Sequence, residues 1–259
     1  LLYDITIGYL NTTKKEMNNQ IDQNSLKIDA DFSLLLQNTE LLSKAHSKKE
    51  IITLDDIFVN PILSKFDNTK ENQTDQKLDE IIKEFNNYSK ILIAGEGQSG
   101  KTTIGKKLFQ ELFNQGFVPI LLQDKINFYS GNINHKVIKE FKIQYDTKLE
   151  FKDLDLTKIV PIIDDFHYAK HKEKHITHLK DYPNQVIIVD DIFGLNLREE
   201  NIIEEYIHFK IKEYTPTLRS ELIKNWVLLS DSDFRSDNEV YKELDKKTEL
   251  VNNALGKII

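Results

Sequence analysis

The stretch that most constrains this chain is "ILIAGEGQSGKTT", residues 91–103. An apolar run, Ile91-Leu92-Ile93-Ala94, leads into a glycine-rich turn, and a helix-like stretch follows. Gly95, Gly100, Lys101 and Thr102 complete G-x-x-x-x-G-K-[ST] in the context that motif needs, strand before and helix after. The glycines let backbone N–H groups wrap an anion without side-chain clash, and the helix beginning near Lys101 aims its positive end at that anion. Gly95, Glu96, Gly97, Gln98, Ser99, Gly100 and Thr103 are therefore expected to cradle a phosphate chain. Lys101 would reach its β- and γ-phosphates, and the Thr102 hydroxyl would ligate Mg²⁺.

Such a loop needs a second acid for the metal, at the end of another strand. "IVPIIDDFH" supplies Asp164-Asp165 after an apolar run. Asp164 is expected to hold Mg²⁺, and Asp165 to orient or deprotonate an attacking water. "VIIVDDIFG" ends a further apolar run in Asp190-Asp191, where Asp190 either senses the γ-phosphate or caps a helix. His167, just beyond the first acidic pair, is a candidate γ-phosphate neighbour. With His171, His175 and His178 it would share one face of a helix, a spacing open to a metal site or a solvated face. The arginines are Arg198, Arg219 and Arg235. Arg219 opens the helix after the last strand, where it could feel a nucleotide; Arg198 and Arg219 read equally as surface ion-pair residues.

Apolar runs recur at 91–94, 118–122, 159–163, 186–189 and 207–211, each separated by room for a crossover. Continuous rather than alternating apolar strands predict a parallel sheet buried on both faces. The last run alternates, as an edge strand does. Pro161 lacks a ladder donor and is expected at the first residue of its strand, leaving the pairing to Ile162 and Ile163. The domain plan is an N-terminal helical segment over 1–66, a polar linker over 67–76, the core over 77–214 and the beginning of a helical domain over 215–259. In the first segment Phe32, Leu35, Leu36, Leu42 and Ala45 recur at helical spacing, and Thr53 with Asp56 forms a capping box for a short helix.

A formal net charge of -7 argues against non-specific nucleic-acid binding. The chain has no cysteine, which removes disulfides, thiolate catalysis and cysteine-based zinc sites. No apolar run approaches the ~20 residues that span a bilayer, and no secretory signal is legible at Leu1. The expected compartment is the cytoplasm. Without an initiator Met, the chain reads as a piece of a longer protein.

Taken together, "GEGQSGKTT", "VPIIDDFH" and "IKEYTPTLRSELIKNWVLL" resemble the STAND class of signalling P-loop ATPases, which includes NACHT and apoptotic-ATPase proteins. In the last stretch Tyr214, Thr215, Glu221, Leu222, Ile223 and Trp226 match that class's final strand and the first helix of its helical domain. "LDDIFVNPIL" is similar to a short motif that lies against the base, implying adenine contacts through Phe58, Val59 or Pro61. The resemblance implies an α/β, three-layer P-loop NTPase core with sheet order 5-1-4-3-2. One departure stands out: where many NACHT proteins end the fourth strand with Thr and Arg, this chain has Asp190-Asp191.

The function so implied is an ATP-binding, slowly hydrolysing, Mg²⁺-dependent switch whose nucleotide state controls oligomerisation and an effector. Bacterial relatives of this kind often serve in anti-phage defence, with a trigger protein bound by segments outside this stretch. The absence of a guanine-reading Asn-Lys-x-Asp motif leans toward adenine. The rivals are an AAA+-like ATP-driven motor or loader on DNA, a small-molecule kinase, and a module that holds nucleotide as a structural cofactor.

Overall fold

The computed structural model describes residues 26–41, 44–47, 49–66, 74–123, 132–191, 205–229 and 236–255. Its centre is a seven-stranded sheet. β4 (Lys90–Gly95), β5 (Val118–Leu122), β7 (Ile159–Ile163), β8 (Gln185–Asp190) and β9 (Ile207–Ile211) are the five apolar runs read from the sequence. Across the sheet they stand β9-β4-β8-β7-β5 and run parallel. Counted as core strands, that order is 5-1-4-3-2, as expected.

All five residues of β5 and of β7 are buried, as are five of the six in β4 and in β8. Successive side chains point to opposite faces, so unbroken burial means both faces are covered. α5 (Lys101–Asn114) turns Ile104, Leu108, Phe109 and Leu112 into the core. α6 (Ile133–Gln144) buries Ile133, Val137 and Phe141 and is capped where the Asn132 side chain accepts the Asn134 N–H. Both stripes follow the helical period. α3 (Leu78–Lys83) and α4 (Phe85–Tyr88) bury Leu78, Ile81, Ile82 and Phe85 ahead of β4.

Two strand expectations are corrected. Pro161 is the middle residue of β7, opposite Ile120, and not its first. Its missing donor is harmless because the ladder to β8 comprises Ile162 and Ile163 alone. β9 is not an edge: β2 (Ile62–Phe66) pairs with it antiparallel, and β3 (Thr74–Lys77) pairs with β2. This hairpin takes residues from the stretches expected as helical segment and linker.

Ahead of it, β1 (Lys27–Ile28) pairs with β6 (Tyr145–Asp146). Asp29 caps α1 (Ala30–Gln37), accepting the N–H groups of Asp31 and Phe32. Phe32 meets Phe109 of α5 edge to face, 5.1 Å between ring centres. The helix ends well short of Ala45. Asn38 turns its side chain onto the Glu40 N–H and forms a bridge with Thr53, competing with further helix. Leu35 and Ala45 are exposed, and Leu42 lies outside the described residues, as do Arg198, Arg235 and residues 1–25. The Thr53–Asp56 capping box forms as expected, with Asp56 accepting the Thr53 N–H and hydroxyl at 2.7 Å each ahead of α2 (Leu54–Ile57).

α7 (Lys172–Leu179), α8 (Pro216–Leu228) and α9 (Asp237–Leu255) are the remaining helices among the described residues, α8 and α9 packing on each other. Among the described residues no helix is long and apolar enough to cross a membrane.

Candidate nucleotide site

β4 delivers Gly95 to the mouth of the loop. A Cβ there would stand 2.4 Å from Ser99 Oγ and 2.7 Å from Ile211 Cδ1, so the first glycine is a packing requirement. The loop then turns twice through left-handed backbone, at Gln98 (φ 62°) and at Gly100 (φ 83°), before α5 begins at Lys101. Gly100 suits that conformation; Gln98 adopts it against its own preference. The first N–H groups of α5 lack intrahelical partners and face the loop's mouth, which makes an anion seat.

Lys101 is folded back over this loop and buried. Its ammonium donates to the Gly95 carbonyl at 3.1 Å, to the Glu96 carbonyl at 2.7 Å and to Asp190 Oδ1 at 2.5 Å. Thr102 Oγ1 donates to Asp164 Oδ2 at 2.7 Å, and Asp164 Oδ1 accepts the Asp165 N–H at 3.0 Å. The loop hydroxyl is therefore bonded directly to the acid that follows β7. Burial raises the Asp164 carboxyl above its ordinary range, the Asp165 charge adds to the rise, and the Thr102 bond offsets part of it. Among the described residues no cationic side chain pairs with Asp164. A buried carboxylate beside a hydroxyl, both hard oxygen donors, fits Mg²⁺, which takes one or two protein oxygens and completes its shell with phosphate and water.

Asp165 stands in left-handed backbone (φ 55°) at the start of the short 3₁₀ turn Phe166–Tyr168. His167, on that turn, is buried between two acids. Its Nδ1 accepts the Asp190 N–H at 3.3 Å, and its Nε2 lies 3.5 Å from Asp190 Oδ2 and 3.9 Å from Asp165 Oδ1. The Nδ1 acceptor assigns the proton of the neutral ring to Nε2. The histidine face expected from spacing does not form as one helix. His167 sits on the 3₁₀ turn, His171 precedes α7 in left-handed backbone (φ 54°), and His175 and His178 lie within α7. Among the described residues no group of three or more His, Cys, Asp or Glu side chains is arranged to hold a metal.

Beside the loop opens a cleft of about 1010 Å³. The loop residues Glu96–Gly100 and Thr103 form one side, while Phe58, Pro61, Tyr214 and Arg219 contribute to the rest. Of the expected base contacts, Phe58 and Pro61 line it. Val59 does not: its side chain is buried and its carbonyl accepts the Tyr214 hydroxyl at 3.0 Å. The Phe58 carbonyl accepts from the Asn225 amide at 3.3 Å, so the segment before the core is tied to α8.

Lys210 and Lys212, from β9, also line the cleft, and each is paired to a carboxylate at 2.7 Å: Asp191 and Asp75. Arg219 differs. Its Nη1 donates to the Tyr214 carbonyl at 3.2 Å, and its buried Nε has no partner among the described residues. Sequence reasoning missed Lys210 and the Asp191–Lys210 pair; a charged residue inside the strand "IHFKI" was the available signal.

An acid at the end of β7 against the hydroxyl of a glycine-rich loop between β4 and α5, in a sheet of order 5-1-4-3-2, decides the architecture. This is a P-loop NTPase fold.

No family model matches the chain, and no curated protein matches it. Among solved structures, a DNA replication initiation factor is similar at 20% identity, over 68% of this chain and 58% of that one, with a TM-score of 0.41. The replication initiator DnaA bound to AMPPCP and single-stranded DNA is similar at 18% identity, over 68% and 59%, with a TM-score of 0.39. A Thermotoga maritima RuvB mutant is similar at 16% identity, over 70% and 60%, with a TM-score of 0.38. The chain thus spans less than two thirds of each of these proteins.

Proposed function

We propose that this chain is an ATP- and Mg²⁺-binding switch of the STAND type, whose nucleotide state controls self-association and an effector in signalling or anti-phage defence. The observation that carries this reading is the cleft itself. Its lining includes both the P-loop and Arg219 of α8, so a nucleotide bound there would touch the sheet core and the first helix beyond it.

In this reading the loop amides and Lys101 hold the β- and γ-phosphates, and Thr102 and Asp164 hold Mg²⁺. Mg²⁺, when bound, neutralises charge on the phosphate oxygens. Asp165 orients the attacking water. Phe58 and Pro61 offer an apolar surface to the base, and Arg219, which lines the cleft, offers its guanidinium to the phosphates. A ligand shifts conformers only through contacts that differ between them, and a residue of α8 that reaches only a γ-phosphate provides that difference. The chain is in this account a slow ATPase in the cytoplasm.

The test is to identify the nucleotide retained on purification, then to compare molar mass by light scattering with ADP and with a non-hydrolysable ATP analogue. A mass that rises with the ATP analogue and Mg²⁺ supports the switch. Equal mass in both nucleotides, with turnover stimulated by single-stranded DNA, would instead establish an ATP-driven machine on DNA, a ligand the overall acidity alone does not dismiss. Transfer of the γ-phosphate to a metabolite would establish a kinase.

A further inference from the structure

The P-loop lysine is already fully engaged. An ammonium has three donors, and those of Lys101 go to the Gly95 carbonyl, the Glu96 carbonyl and Asp190 Oδ1. A phosphate oxygen can reach Lys101 at full strength only by displacing one of them. The two carbonyls belong to the loop and move with it. Asp190 is the one charged competitor, and its place is fixed: β8 pairs with β4 in a register that sets Asp190 opposite Gly95.

The next residue repeats the arrangement. Asp191 holds Lys210, a lysine of β9 that lines the cleft. Two consecutive carboxylates at one strand end thus pair with two lysines, one of the P-loop and one of the cleft wall. A destination for the displaced acid is also present. His167 Nε2 lies 3.5 Å from Asp190 Oδ2, while its Nδ1 holds the Asp190 N–H. Closing that gap to a hydrogen bond of about 2.9 Å is a side-chain movement only.

From this we infer that Asp190 is a second γ-phosphate sensor, beside Arg219, and works by displacement: its carboxylate occupies Lys101 as a built-in phosphate surrogate until a triphosphate drives it onto His167. This rests on the nucleotide-site reading above and supplies what the departure at the end of the fourth core strand left open. An arginine sensor is drawn toward the γ-phosphate; this acid is pushed away by it. Like charges a few ångströms apart in a partly buried site repel strongly, so the added negative charge of ATP over ADP acts directly on Asp190. The position of Asp190, held on Lys101 or on His167, then distinguishes the two nucleotides. His167 is a positioning residue in this scheme.

The test is a pair of equilibrium titrations with Mg²⁺, using ADP and a non-hydrolysable ATP analogue, on the unmodified protein, Asp190→Asn and Asp190→Ser, with a thermal melt of each nucleotide-free sample. Removing the competing charge is expected to tighten the ATP analogue about tenfold and ADP about threefold, since charge-assisted bonds outweigh neutral ones. The nucleotide-free variants should melt lower, because a buried Lys101 loses its counter-ion, and gain more on adding nucleotide. If both folded variants bind the ATP analogue no more tightly than the unmodified protein, the inference is overturned while the nucleotide site stands. If the unmodified protein binds neither nucleotide, both fall.

Discussion

Thr102 Oγ1 and Asp164 Oδ2 stand 2.7 Å apart, joining the first turn of α5 to the end of β7 across 62 residues of sequence. Asp164 is buried, and that burial raises its pKa from the ordinary 3.8. A raised carboxyl pKa means that the folded chain binds the proton more tightly than the unfolded chain. Its contribution therefore favours the fold at low pH and is lost as pH climbs from 3.8 through the higher folded value.

Asp164→Asn tests this. The amide oxygen can still accept the Asp165 N–H, and the amide nitrogen can donate to Thr102 once that hydroxyl rotates. The nucleotide-free variant is expected to be about 0.5–2 kcal/mol more stable at neutral pH, because no charge is buried. In denaturant titrations the gain should shrink as pH falls toward 4. The same variant should lose the Mg²⁺-dependent part of nucleotide affinity.

Arg219→Ala removes the cleft's donor with the unpartnered Nε. ATP-analogue affinity is expected to fall about tenfold, with ADP changed by less than about threefold. Equal losses for both nucleotides would mean that Arg219 supports the α8 turn through Tyr214 and does not reach a terminal phosphate. Calorimetry with each nucleotide separates the outcomes.

Gln144 carries a prediction about the fold alone. Its buried side chain accepts the Leu121 N–H at 2.9 Å and donates to the Leu121 carbonyl at 2.6 Å, satisfying the open edge of β5 as a neighbouring strand would. Gln144→Leu strands both backbone groups and is expected to cost roughly 2–4 kcal/mol in denaturant unfolding. Nucleotide affinity of the folded fraction should stay unchanged.

How much was legible follows from range. The five core strands were readable because parallel strands buried on both faces leave unbroken apolar runs, and the P-loop because its spacing is local. The hairpin of β2 and β3 was not readable: "TDQK" has no apolar pattern and becomes a strand only by pairing with "ILSKF". That pairing turned an apparent edge strand, Ile207–Ile211, into an interior one. Asp164 could be placed from its strand, but the partner of Asp190 could not. Lys101 lies 89 residues away, and only the β4–β8 register brings the two together. The left-handed backbone at Gln98 leaves no trace in residue type, since glycine would have been the expected choice there.

The most direct measurement uses the chain's single tryptophan. Trp226 lies on α8 with its ring 5.2 Å from that of His46, next to the Asn225 that holds the Phe58 carbonyl. If the nucleotide couples the P-loop to α8, its fluorescence reports that coupling. Titration in Mg²⁺ should give a saturable change whose end point differs between a non-hydrolysable ATP analogue and ADP, and Lys101→Ala should abolish both. Identical end points for the two nucleotides, with binding of each confirmed by calorimetry, would contradict the switch.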